Sequence, residues 1–308
     1  MHSTIRLQTL LNQQVHTILE ETLKLLPQEW CDLFPSSSAS AWEKVMADLV
    51  ASNAIRRVRR TEAIIYQWAI APQLSPLLSI PSATIAQKLV DLLTHGSKPL
   101  VRSDPGYKLR AEIWVNCRVT VYAHHLIQIE VSDRALASWL QQVIALPDLE
   151  LTPSVFRRED SATSNRRSLE GIFPLQAAHA RCCSLLRLGE REGLIKIYPA
   201  DEKSLPQRID WPNPLSWLQE EGQLRLVHPS ERYLLVSGVE VLGDRTFSPS
   251  QIHFSERFFA FDAACRILGE IKAHAPQLAQ ARLGLILFSR HCLAQSLEIQ
   301  GIEPLCEL

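Results

Sequence analysis

In the second half of the chain, Pro174, Pro229, Pro249 and Pro276 each stand directly ahead of an apolar pattern of helical period. Proline has no backbone N–H and fixes φ near the helical value, so it fits the first turn of a helix and not the interior. These prolines therefore mark helix starts. After Pro174, the residues Leu175, Ala178, Cys182, Leu185 and Leu186 share one face. Pro229 opens a helix to about Leu242. Ser248-Pro249-Ser250-Gln251 is a capping box, and it predicts a long helix through Phe258, Phe261, Ala264, Ile267, Leu268 and Ile271. Pro276 opens the last helix, which carries Leu278, Leu285, Phe288, Leu293 and Leu297 and is closed by Gly301 and Pro304. Pro199, Pro206, Pro212 and Pro214 break residues 194–214, and a short helix is expected from Leu215 to about Glu220. From Ile172 onward the expectation is helix only, with no internal repeat.

The first half reads differently. Leu7, Leu11, Val15, Ile18 and Leu19 predict an amphipathic helix over residues 4–26, stopped by Pro27. Trp42, Val45, Met46, Leu49 and Val50 predict a second, after a Ser-rich loop. Residues 63–80 are apolar and proline-punctuated. Ser82 caps a helix over residues 83–94 that carries Ile85, Leu89, Leu92 and Leu93 and ends at Gly96. Across residues 109–131, Ile113, Val115, Val119, Val121, Ile127, Ile129 and Val131 alternate, which predicts two or three strands. Ser132-Asp133 then caps a helix with Leu136, Trp139, Leu140 and Val143. A polar, Ser-rich stretch from Arg157 to Arg167 cannot bury enough apolar surface to order itself. The fold class is thus α+β: a mixed α/β domain over 1–145, a linker over 146–169 and an all-α helical bundle over 170–308.

Standard catalytic constellations are missing. The chain has 11 glycines in 308 residues, none in a phosphate-cradling loop of either standard spacing. It has neither H-E-x-x-H nor a G-x-S-x-G elbow. His124-His125 lies in a strand-like segment, where neighbouring side chains point to opposite faces and cannot share one metal. None of the 7 cysteines forms a C-x-x-C pair, and Cys182, Cys183, Cys265 and Cys292 sit in apolar runs, the pattern of buried reduced thiols. No catalytic residue, metal or cofactor is expected. No signal peptide or membrane-spanning run is read, so the expected location is cytoplasmic. With a net charge of −1, any nucleic-acid surface must be a local patch.

The segment Gly171-Ile172-Phe173-Pro174-Leu175-Gln176-Ala177-Ala178-His179-Ala180-Arg181-Cys182-Cys183-Ser184-Leu185-Leu186-Arg187 resembles the first helix of the DALR anticodon-binding domain of arginyl-tRNA synthetases. The stretch from Ala281-Arg282-Leu283-Gly284-Leu285 to Gly301-Ile302-Glu303-Pro304 resembles the last helix of that domain and its Gly-Ile-x-x-Pro ending. More loosely, Gln128-Ile129-Glu130-Val131-Ser132-Asp133-Arg134-Ala135-Leu136-Ala137-Ser138-Trp139-Leu140 resembles the end of the family's N-terminal domain, which reads the outer corner of the tRNA. The resemblance implies a helical tRNA-gripping module. The departures are equally informative. The class I signatures His-Ile-Gly-His and Lys-Met-Ser-Lys-Ser are missing, Ala177 replaces the family's aromatic residue, and the Asp-Ala-Leu-Arg tetrapeptide is not present.

The resulting candidates for tRNA contact are Gln176, His179, Arg181 and Arg187 on the first bundle helix, Arg282 and Arg290 on the last, and the cluster Arg56, Arg57, Arg59 and Arg60. Arginine can fork onto phosphates or stack on unpaired bases. The same Gln176, His179 and Arg181 can equally hold neighbouring elements together, and the Arg clusters, including Arg157, Arg158, Arg166 and Arg167, can be solvated faces. Three functions are compatible with this reading. One is a non-catalytic binder of tRNA, for which arginine tRNA is the first choice, presenting it to a partner enzyme. The second is a helical scaffold for protein–protein interaction. The third is an accessory subunit of a split arginine–tRNA ligase. No membrane partner is expected.

Overall fold

The computed structural model describes residues 6–25, 55–58, 63–95, 105–145, 165–198, 208–211, 216–243 and 247–307. The chain falls into two compact units, Met1–Trp139 and Leu140–Leu308. Both α and β elements are present, with helix predominating and the strands antiparallel.

In the first unit, α1 spans Leu7–Leu25, and its buried Leu7, Leu11, Val15, Ile18 and Leu19 are the face anticipated from the sequence. Four strands follow in part: β1 (Arg56–Arg57), β2 (Ile64–Trp68), β3 (Cys117–Tyr122) and β4 (Leu126–Val131), hydrogen-bonded in the order β1-β2-β4-β3. The register sets Ile64 opposite Val131, Tyr66 opposite Ile129 and Trp68 opposite Ile127. All six side chains are buried, so one face of the sheet carries the core and the period of two is strictly kept. Helices α2 (Ile70–Leu78) and α3 (Ser82–His95) pack against it. Helix α4 spans Pro105–Val115 and α5 spans Asp133–Ile144.

Two expectations for this unit are corrected. Residues 109–115 are helix, not strand. Ile113 and Trp114 are both buried although adjacent, and Trp114 donates its Nε1–H to the Leu93 carbonyl at 3.1 Å. Two consecutive inward side chains suit a helix and not a one-sided strand. His124 and His125 are likewise not in a strand. They form the turn between β3 and β4, each with positive φ, 57° and 58°, a left-handed region that histidine enters more readily than bulkier residues. His125 Nδ1 lies 2.6 Å from Ser82 Oγ, which fastens the turn to the start of α3. The second helix anticipated around Trp42 lies outside the described residues.

In the second unit, α6 spans Asn165–Arg191 and takes Pro174 into its interior rather than starting there. It ends in a Schellman turn. Gly193, at φ 70°, donates to the Glu190 carbonyl at 2.9 Å and Leu194 donates to the Gly189 carbonyl at 2.9 Å. A short hairpin, β5 (Lys196–Tyr198) with β6 (Arg208–Asp210), interrupts what was expected to be helix only. The helix expected over residues 215–220 is not formed: Leu218 and Leu224 make a β-bridge instead. Helices α7 (Pro229–Gly243), α8 (Pro249–Ala264), α9 (Glu270–His274) and α10 (Pro276–Ile299) follow. The capping box at α8 is present, with the Ser248 backbone N–H donating to Gln251 Oε1 at 2.6 Å. Helix α8 stops at Ala264, short of the expected Ile271.

Helix α10 packs against α6, α7, α8 and α9, and α8 packs in turn against α7 and α6. Every residue of α10 from Ala279 to Leu293 is buried. A helix buried all round is the centre of its bundle, and the partners of α10 supply Leu175, Cys182 and Leu186 from α6, Leu234 and Leu235 from α7, and Phe254, Phe258 and Phe261 from α8.

Candidate nucleic-acid interface

The end of α10 repeats the device that ends α6. Gly301, at φ 69°, donates to the Glu298 carbonyl at 2.8 Å, and Ile302 donates to the Leu297 carbonyl at 3.0 Å. This Schellman turn directs residues 303–307 back along α6. The side chains that receive them are three of the four sequence candidates on that helix. Gln176 Nε2 donates to the Glu303 carbonyl at 2.7 Å, and its Oε1 accepts from the Leu305 N–H at 3.1 Å. His179 Nδ1 lies 2.9 Å from the Leu305 carbonyl. Arg187 donates to the Cys306 carbonyl at 3.2 Å and pairs with Glu307 Oε1 at 3.2 Å. Gln176 and His179 are buried by this arrangement, while Arg187 stays exposed.

The same helix places His179 and Cys183 one turn apart, and the terminal segment brings Cys306 over them. Cys183 Sγ is 4.0 Å from His179 Nδ1 and 2.8 Å from Cys306 Sγ. Burial pushes the Cys183 thiol up from its ordinary pKa, the Cys306 thiol adds to this, and the Arg290 and Arg187 guanidiniums oppose it. No sequence pattern announces this trio, because Cys306 is distant in the chain and no zinc-type spacing joins it to the other two.

The remaining candidates divide. Arg181 is exposed and grips Asp262 of α8 with both arms, at 2.8 and 3.3 Å, and the hydrogen bond to that carboxylate raises its pKa further. Arg282 and Arg290 are buried on α10. Arg282 pairs with Glu231 of α7 at 2.6 Å, inside the bundle. Arg56 is exposed on the sheet edge and Arg57 is half-buried. Arg59, Arg60, Arg157 and Arg158 lie outside the described residues.

One exposed pair was missed by the sequence reading. Arg257 of α8 sits over the ring of Tyr233 of α7, 5.5 Å from its centroid, and Tyr233 is 44% exposed. The available signal was the position of Tyr233 off the apolar stripe formed by Leu234, Leu235 and Val239. A solvent-facing ring beside a guanidinium is the arrangement on which an unpaired base can stack.

Part of the chain is similar to arginine–tRNA ligases. It is 30% identical to the enzyme of Gloeobacter violaceus over 145 residues, 43% of this chain and 22% of that protein. It is 31% identical to that of Pelodictyon phaeoclathratiforme over 131 residues and 33% identical to that of Prosthecochloris aestuarii over 132 residues, in both cases 42% of this chain and 22% of the relative. The chain therefore spans about a fifth of the length of the curated relatives it matches. No protein-family profile matches it, and no solved structure does. Among the described residues, no helix is long and apolar enough to cross a membrane.

Proposed function

We propose that this protein is a non-catalytic tRNA-binding module related to arginine–tRNA ligase, with a DALR-type helical bundle as its RNA-facing part and arginine tRNA as its first-choice ligand. The observation that carries this reading is the similarity to those ligases over more than two fifths of the chain. The two class I signature motifs do not occur in the sequence, which supports binding without aminoacylation. Contacts are assigned to the groups that remain accessible. Arg56 neutralises phosphate, and the Tyr233 ring with Arg257 receives an unpaired base.

The test is binding of the full chain to arginine tRNA and to an unrelated tRNA across a salt series. Affinity should fall with salt, and Arg56→Ala should flatten the log–log slope by roughly one phosphate contact. Tyr233→Ala should weaken binding by about 1–3 kcal/mol at every salt concentration. Weak and equal binding to both RNAs, unchanged in both variants, would sink the proposal. That outcome would favour a second reading, a protein-docking scaffold. This reading is supported by the burial of Arg282 and Arg290 and by the use of Gln176 and His179 to hold residues 303–307. Its test is retention of a protein partner after nuclease treatment.

A further inference from the structure

We propose that His179, Cys183 and Cys306 form a binding site for a zinc-type cation, with a fourth coordination position open to solvent. The ligand atoms of the three residues all lie within 4.8 Å of one another. His179 and Cys183 are four residues apart on α6, so they project from the same face of one rigid helix. Cys306 comes from the segment that the Gly301 turn sends back across that face. Two anchored donors and one from a terminal segment make a site that closes around an ion.

The distances suit this. Tetrahedral coordination with metal–sulfur bonds of ~2.3 Å and metal–nitrogen bonds of ~2.0 Å separates neighbouring ligand atoms by roughly 3.5–3.8 Å. The Cys183 sulfur and His179 Nδ1 are 4.0 Å apart, already near that value, and on coordination Nδ1 exchanges its hydrogen bond to the Leu305 carbonyl for the metal, the ring proton moving to Nε2. The sulfur pair, at 2.8 Å, must open by about 1 Å. Cys306 is the exposed member, so the adjustment falls on its side chain. Each thiol gives up its proton on coordination, so a divalent cation replaces two protons and the site stays charge-balanced. The two sulfurs alone could instead close into a disulfide. The histidine at the same point, which a disulfide would not use, is what favours a metal ion.

The consequence is a staple. A bound cation ties residues 303–307 to α6 through Cys306 in place of the His179–Leu305 hydrogen bond, beside the contacts of Gln176 and Arg187, which determines whether that face of α6 is covered or free. This inference does not depend on tRNA binding.

The experiment uses the full chain, fully reduced, titrated with Co(II) and then with Zn(II). The expected result is one Co(II) per chain. It should show a thiolate-to-cobalt charge-transfer band in the near ultraviolet and tetrahedral d–d bands in the visible, both abolished by Zn(II). Cys306→Ser, at an exposed position that the fold tolerates, should weaken Co(II) binding on the order of 100-fold or more. Zn(II) should also slow amide exchange of residues 303–307 in the parent chain and not in Cys306→Ser. Absence of thiolate–cobalt bands in the reduced parent would overturn the site, and so would identical spectra and affinity in the Cys306→Ser chain. A reduced chain that takes up no Co(II) but crosslinks Cys183 to Cys306 in air would also overturn it, and would make the pair a redox latch.

Discussion

Arg282 of α10 donates its Nε–H to Glu231 Oε1 at 2.6 Å, and the Glu231 side chain is fully shielded from solvent. The other Glu231 oxygen accepts the His228 backbone N–H at 2.9 Å, which caps the start of α7. A second arm of Arg282 donates to the Arg266 carbonyl in the stretch after α8. One guanidinium thus joins three parts of the bundle. An arginine that the sequence offered as an RNA contact has its charge neutralised within the protein.

Breaking this pair from one side leaves a charge buried without compensation, at a cost of about 3–5 kcal/mol. Glu231→Gln and Arg282→Met should each lower unfolding free energy by that order in urea melts. The double variant Glu231→Gln with Arg282→Met should lose less than the sum of the two single losses, because neither change then leaves the other residue's charge buried without a partner. Strictly additive losses would show that the two residues act independently.

Gln176 holds the terminal segment through both ends of its amide. Gln176→Ala removes two hydrogen bonds, each contributing roughly 0.5–1.5 kcal/mol net. The expected outcome is faster amide exchange at Leu305 with only a modest fall in global stability, since residues 303–307 lie at the exposed periphery of the unit. Unchanged protection of the Leu305 amide would mean that something other than Gln176 anchors the segment.

The helices were legible because their starts are chemically marked. Pro229, Pro249 and Pro276 each open the helix that follows, and Ser248 with Gln251 forms the expected box. Strand β2 was not recognised although Ile64, Tyr66 and Trp68 alternate, because its neighbour β4 is distant in sequence and Pro72 and Pro76 follow at once. Residues 109–115 were assigned the wrong period, because an alternation of Ile113 and Val115 says nothing of the buried Trp114 between them. On the site, Gln176, His179 and Arg187 stand out in the sequence as candidates for tRNA contact, and for Gln176 and His179 the alternative of holding neighbouring elements together is what the structure displays. Their partner was not legible. It is a terminal segment brought back by a glycine turn at Gly301, and no local pattern announces a contact across more than a hundred residues.

Gly238 of α7 stands where α7 meets α10. A Cβ there would come 2.7 Å from Phe288 Cζ and 3.3 Å from Phe254 Cε2, and both rings are fully buried. Gly238→Ala should therefore destabilise by about 1–3 kcal/mol through overpacking, despite the better helix propensity of alanine. Adding Phe288→Leu should restore part of the loss, while Phe288→Leu alone should destabilise. A melting temperature raised by Gly238→Ala alone would indicate that the two helices can separate freely at this point.

Glu298 near the end of α10 carries the clearest pH dependence. Partial burial raises its pKa from 4.5 to about 7, with no other cause contributing. The folded state therefore holds this proton more tightly than the unfolded chain does. The resulting stabilisation is complete below the unfolded pKa of 4.5, and it is lost as pH rises through about 7. Glu298→Gln removes the ionisation and should make the chain more stable than the parent at pH 8, with little difference at pH 4. A shift of this size corresponds to about 3 kcal/mol for a fully shielded group. Glu298 is only half-buried, so solvent screening brings the expected gain to about 1 kcal/mol. Chemical unfolding of both chains between pH 4 and pH 8 checks this. Parallel stability curves across that range would show that the carboxylate is hydrated in the folded protein.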